Sequence, residues 1–165
     1  MVSEEEERLI RNILDFGERE VQEVMVPRTR VAALPIEATA DEIRETMRAQ
    51  GYSRYPVYRG SLDTVVGVLH VRDFIEKDVR GEKMVLRVPR VTEGTYVETV
   101  LAAFKRLRVH MALVVDEHGG TAGVVTLEDI LEEVVGDVED ELDADEQPEI
   151  EELGDGRFIV TGGLP

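Results

Sequence analysis

The chain has 165 residues, 42% of them hydrophobic, and a formal net charge of −17; that apolar content suffices for one or two small cores. It contains no cysteine, which excludes a disulfide framework, a thiol nucleophile and a thiolate metal site. Ten acids and no base lie between Asp137 and Glu152, four more are Glu4 to Glu7, and the other 22 acids nearly balance the 19 lysines and arginines. General nucleic-acid binding needs clustered cations against the phosphates and is therefore disfavoured. No run approaches the ~18 apolar residues of a membrane span and none reads as a signal peptide, so the chain is expected to be soluble and cytoplasmic.

The first predicted element is an amphipathic helix over residues 4–16. Ser3 and Glu6 form a capping box, Leu9, Ile10, Ile13 and Leu14 line one side, and Gly17 is a natural stop. A proline-restricted segment, Met25-Val-Pro-Arg28, leads into a strand at Val31–Leu34. Thr39 and Glu42 then start a helix with Ile43 and Met47 inward, and Gly51 ends it. Strands Tyr55–Tyr58 and Val65–Leu69 follow, then a helix over Arg72–Lys77.

The second half repeats the first at a shift of 56 positions, without insertions over some 90 residues. Gly67-Val-Leu-His-Val-Arg-Asp73 is answered by Gly123-Val-Val-Thr-Leu-Glu-Asp129, Thr39-Ala-Asp-Glu42 by Thr95-Tyr-Val-Glu98, and Pro56-Val57-Tyr58 by Ala112-Leu113-Val114. Here Thr95 and Glu98 cap a helix whose apolar face is Val97, Leu101 and Phe104. Strands Met111–Val115 and Ala122–Val125 flank the turn Asp116-Glu-His-Gly-Gly120, and a helix covers Glu128–Val135. Pro56-Val57 and Ala112-Leu113 are core, and Gly67 and Gly123 permit close backbone approach.

The fold class is thus α/β: tandem β-α-β-β-α repeats packed as one pseudo-two-fold module with a flanking N-terminal helix. The domains expected are a linker helix (1–20), repeat 1 (21–80), repeat 2 (81–136), an acidic linker (137–155), and the beginning of a further domain (156–165), where Gly156–Thr161 reads as a strand.

Thr126-x-x-Asp129 sits where a strand ends and a helix begins. Such a junction offers free backbone N–H groups and a positive helix end, which suit phosphate; a hydroxyl there can donate to a phosphate oxygen and a carboxylate one turn on can accept from ribose. Locally, the same residues are a helix N-cap and a favourable first-turn acid. Geometry allows both roles, and on the residues alone the local one is the preferred reading. In repeat 1 the hydroxyl is replaced by His70 while Asp73 is kept, so the two halves should not bind equally. Catalysis is not expected. The acids Glu128, Asp129, Glu132 and Glu133 read as a solvated helix face, no Ser-centred elbow is visible, and the three histidines lack metal-ligand spacing.

The repeat plan, with Gly123–Asp129 and Tyr52-Ser-Arg-Tyr-Pro-Val57, resembles the paired cystathionine-β-synthase-type (CBS, Bateman) module over about residues 20–136. Val21-x-Glu-Val-Met-Val-Pro-Arg28 and the stretch Leu127–Glu141 are similar to the CorC/HlyC branch, related to cyclin M-type magnesium transport mediators. The resemblance implies a cytosolic regulatory domain of a divalent-cation transporter, placed at the cell membrane by the full-length protein's own membrane domain. It implies a homodimer through the CBS pair, a transporter-associated domain beginning at 156–165, and an adenine nucleotide (ATP or AMP, with Mg2+) in the cleft. The site it implies is built on Thr126 and Asp129, with Val125 and His110 from repeat 2. Arg30, Ala32, Tyr52, Ser53 and Arg54 complete it from repeat 1, with Tyr52 or Tyr55 available to stack on adenine. The rival expectation is a structural dimerisation module without a ligand.

Overall fold

Helix α1 spans Glu4–Gly17, and the Ser3 hydroxyl accepts from the Glu6 N–H at 3.2 Å, as the capping pattern predicts. Its Phe16 is buried, whereas Ile10, Ile13 and Leu14 remain half exposed or more. The computed structural model describes residues 2–145, 149–152 and 158–161. From α1 the chain continues through β1 (Val26–Pro27), β2 (Leu34–Pro35), α2 (Ala40–Gln50), β3 (Arg54–Arg59), β4 (Ser61–His70) and α3 (Val71–Lys77). The second half gives β5 (Arg90–Thr92), α4 (Val97–Leu107), β6 (Met111–Val115), β7 (Thr121–Thr126) and α5 (Leu127–Asp145), and then β8 (Glu149–Glu152) and β9 (Phe158–Thr161).

Two mixed sheets result, ordered β2-β3-β4 and β1-β7-β6-β5, each with one parallel pairing and antiparallel neighbours. The α/β repeat plan is therefore present twice. The strand expected at 31–34 is reduced to β2 at Leu34–Pro35, while the proline-restricted segment before it forms β1, and a one-turn 3-10 helix at Arg28–Arg30 separates β1 from β2. Each joins a different sheet. Val26 and Pro27 stand opposite Val124 and Gly123 of β7, while Leu34 and Pro35 stand opposite Val57 and Tyr58 of β3. The exchange is reciprocal, because the segment leading into repeat 2 crosses repeat 1: Val85 bridges Gly67, and the Leu86 N–H donates to the Val66 carbonyl.

These crossings explain the two glycines 56 positions apart. A Cβ at Gly67 would lie 1.8 Å from the Met84 carbonyl oxygen, and one at Gly123 would lie 2.3 Å from that of Val26. No side chain fits between the strands there.

The core of repeat 1 gathers Leu34, Ile43, Tyr55, Val57, Leu69, Phe74 and Met84. Val65 of repeat 1 packs with Leu113 and Val124 of repeat 2, so apolar contact joins the two sheets. Helix α2 has the expected reciprocal cap, with Thr39 and Glu42 each accepting the other's backbone N–H, and Gly51 ends it in the left-handed region at φ 70°. Helix α4 departs from expectation. It begins one residue late, its N-cap is Tyr96, and the Thr95 hydroxyl bonds that of Thr92 instead. The preceding chain supplies the missing partners: the Val97 N–H donates to the Arg19 carbonyl and the Val21 N–H to that of Thr95. Helix α5 runs ten residues beyond the expected 135, to Asp145, and the strand expected at 156–161 pairs as β9 with β8.

Candidate functional site

Arg54 begins β3 opposite His70 at the end of β4, and Met111 begins β6 opposite Thr126 at the end of β7. Arg54 and His110 are equivalent residues, 56 apart, and the Arg54 Nη2 lies 3.0 Å from the His110 Nδ1. A contact between equivalent residues places the pseudo-two-fold axis between them. Arg54 is turned inward, with 18% of its side chain exposed, and its Nη1 donates to the Glu128 Oε1 at 2.7 Å. The same oxygen is 3.1 Å from the His110 Nδ1. A neutral His110 with a bare Nδ1 accepts from Arg54; a ring carrying Nδ1–H donates to Glu128 instead. Burial opposes the Glu128 charge, but its own backbone N–H, His110 and Arg54 outweigh burial and hold the carboxyl below its ordinary range.

Beside this cluster, the Thr126 hydroxyl accepts the Asp129 N–H at 3.1 Å, closing the first turn of α5. Its own proton remains to be donated, so cap and ligand contact are compatible roles. In repeat 1 the His70 Nδ1 takes the corresponding place, accepting the Arg72 N–H at 3.0 Å at the start of α3. Burial, followed by repulsion from Arg54 and Arg72, pushes its pKa down. His70 is thus a neutral cap, and protonation would break the bond that it makes.

The other expected site residues are dispersed. Val125 is fully buried within β7 opposite Ala112, so its side chain belongs to the core. Ala32 packs against the core of repeat 1. Arg30 is exposed on the 3-10 turn, and no ion pair among the described residues engages it. Tyr52 and Ser53 line a shallow groove of about 490 Å³ with His70, Val71, Arg72 and Ile75, on the repeat 1 side. Tyr52 is 55% exposed and available for stacking. Tyr55 is not: it is completely buried, its hydroxyl accepts the Tyr52 N–H at 3.0 Å, and burial raises its pKa.

Sequence reasoning missed Glu128, reading it as part of a solvated helix face. Its partner Arg54 lies 74 residues away, beyond any local pattern. A signal did exist, since the shift of 56 aligns Glu128 with Arg72, a reversal of charge inside an otherwise matched motif. Among the described residues no group of three or more His, Cys, Asp or Glu is placed to hold a metal ion, and no helix is long and apolar enough to cross a membrane.

Comparison with known proteins shows where this architecture recurs. The CBS domain family matches residues 21–80 and again 77–136. The UPF0053 protein YhdP of Bacillus subtilis (strain 168) is 35% identical over 169 residues, covering 98% of this chain and 38% of the relative. Hemolysin C of Brachyspira hyodysenteriae is 36% identical over 162 residues, covering 96% of this chain and 60% of the relative. The chain therefore spans about two fifths of the length of relatives such as YhdP. Among solved structures, the CBS domain of the bacterial CNNM/CorC family Mg2+ transporter in complex with ATP is 42% identical, with TM-score 0.72 over 79% of this chain and 97% of that one. A CBS-domain pair with bound AMP from Klebsiella pneumoniae is 35% identical, with TM-score 0.57 over 71% and 98%. The paired sheets, their exchanged leading segments and this kinship together show that the chain belongs to the CBS domain family, as the tandem pair of its CNNM/CorC and hemolysin C branch.

Proposed function

We propose that this CBS pair is the regulatory, non-catalytic nucleotide sensor of a membrane-bound divalent-cation transporter. It binds ATP between its repeats and transmits occupancy to the membrane domain of the full-length protein, from the cytoplasmic side. The observation that carries the reading is the meeting of Arg54 and His110 across the pseudo-two-fold axis, next to the capped Thr126–Asp129 turn. A guanidinium fork matches phosphate oxygens, the first turn of α5 favours negative charge, and Asp129 can accept from the ribose hydroxyls. The ATP-bound relative supports ATP as the ligand, and the AMP-bound pair supports the adenosine monophosphate portion as the shared element. Mg2+ arrives on the phosphates, in keeping with an ion that prefers one or two carboxylates plus phosphate oxygens to an all-protein cage. Tyr52 and Ser53 approach from repeat 1, and Arg30, Ala32 and Val125 shape the site through backbone and packing.

Coupling requires that the nucleotide bind one arrangement of the module more tightly than another. Ile75 and Leu131, equivalent residues on α3 and α5, are 69% and 51% exposed. They supply matched apolar positions for a homodimer. The same observation favours a second reading, a dimerisation module without a nucleotide. Calorimetric titration with ATP, with and without Mg2+, separates the two. The sensor gives micromolar binding that disappears in Asp129→Ala while sedimentation still shows a dimer. A scaffold gives no heat and no thermal stabilisation at millimolar nucleotide.

A further inference from the structure

The Arg54, His110 and Glu128 cluster has an internal asymmetry that bears on which nucleotides can bind. Arg54 is the fixed member, largely enclosed, whereas the Glu128 side chain is 52% exposed and hangs from the first turn of α5. One carboxylate oxygen, Oε1, meets both the Arg54 Nη1 at 2.7 Å and the His110 Nδ1 at 3.1 Å. A phosphate oxygen would take the same place, accepting from the Arg54 fork and, when the ring carries Nδ1–H, from His110; carboxylate and phosphate compete for one guanidinium fork. Glu128 also lies within the motif, between Thr126 and Asp129. Turning its side chain toward solvent would clear the Arg54 fork and the His110 Nδ1 without moving the backbone. Repeat 1 carries Arg72 at the equivalent position, so the repeat fold itself does not require an acid here.

We propose that Glu128 is a built-in competitor for the phosphates, holding Arg54 and His110 until a sufficiently charged ligand displaces it. The proposal rests on the nucleotide reading above and deepens it. A ligand without phosphate has no need to displace the carboxylate, so Glu128 sets a threshold against phosphate-bearing nucleotides and leaves adenosine untouched. The acid therefore lowers affinity for phosphate-bearing ligands alone and narrows their margin over adenosine.

The test is calorimetric titration of wild type, Glu128→Gln, Glu128→Ala and Asp129→Ala with ATP and with adenosine, with thermal melting as the folding control. Both Glu128 variants are expected to bind ATP about fivefold more tightly, the effect of releasing a half-exposed ion pair. Their affinity for adenosine should not change. Weaker ATP binding in the Glu128 variants would overturn the proposal by making the acid a ligand contact. Unchanged ATP affinity, with loss in Asp129→Ala, would overturn it and leave the nucleotide reading intact. An equal gain for adenosine would also overturn it, as a change in the fold and not in phosphate competition. Absence of ATP binding in every form would remove both readings together.

Discussion

His70 and Thr126 occupy one place in two copies of the same motif and accept the same kind of hydrogen bond, yet only the imidazole of the two can take up a proton. The folded state lowers the His70 pKa from its ordinary 6.5 through burial, Arg54 and Arg72, partly offset by Asp73 and Glu128. The unfolded chain therefore binds the proton first as pH falls. Stability from this residue is complete above about 6.5 and is lost as pH drops from there toward the folded pKa. We expect wild type to melt at a lower temperature at pH 5.5 than at pH 7.5, and His70→Asn, which retains an N-cap acceptor, to show a smaller difference. Equal differences in the two proteins would contradict this account. Glu128 shows the limit of reading single residues. Its acidity and helical position were visible, but its contact with Arg54 exists only because two sheet ends meet in space.

Most elements could be read from the sequence because their signals are local. Thr39 with Glu42, Ser3 with Glu6 and Gly51 mark helix ends within four residues of the bonds that they make. The misread elements have nonlocal causes: Thr95 yields its cap to backbone from 19–21, and the lead-in strands fall where β7 and β3 pair them, at Val26–Pro27 and Leu34–Pro35 and not at 31–34. The glycines extend the contrast. Gly67→Ala and Gly123→Ala must push neighbouring strands apart and should cost about 3 kcal/mol or more. Gly136 lies in α5 with nothing within 4 Å of an added Cβ, so Gly136→Ala should stabilise by up to about 1 kcal/mol. Urea denaturation of the three variants would check both signs, and a neutral Gly67→Ala would refute the close-approach explanation.

Across the whole module, the repeats are tied a second time near the hairpin turns. The Asp63 carboxylate accepts from Arg28 and from the Thr121 N–H, and the Thr121 hydroxyl donates to the Leu62 carbonyl at 2.6 Å. Arg28, then the Thr121 N–H, hold the Asp63 pKa below its ordinary 3.8. That contribution is complete above about pH 3.8 and is lost as pH falls through the lowered value. Asp63→Asn is expected to lower the thermal midpoint at pH 7 and to leave ATP affinity unchanged, because its bonds lie apart from Arg54 and Asp129. A matching loss of affinity in calorimetry would show that the two ties act as one.

The exchanged leading segments also constrain how the chain is made. Val26 and Pro27 emerge from the ribosome early, but their partners, Val124 and Gly123, follow almost a hundred residues later. The first repeat meanwhile lacks the strand crossing at Gly67 until Val85 and Leu86 appear. Neither half can finish during synthesis by itself, and the pairings with greatest sequence separation close last. Fragments severed between the repeats would each carry the other's missing edge, which makes the pair a natural candidate for split-chain complementation.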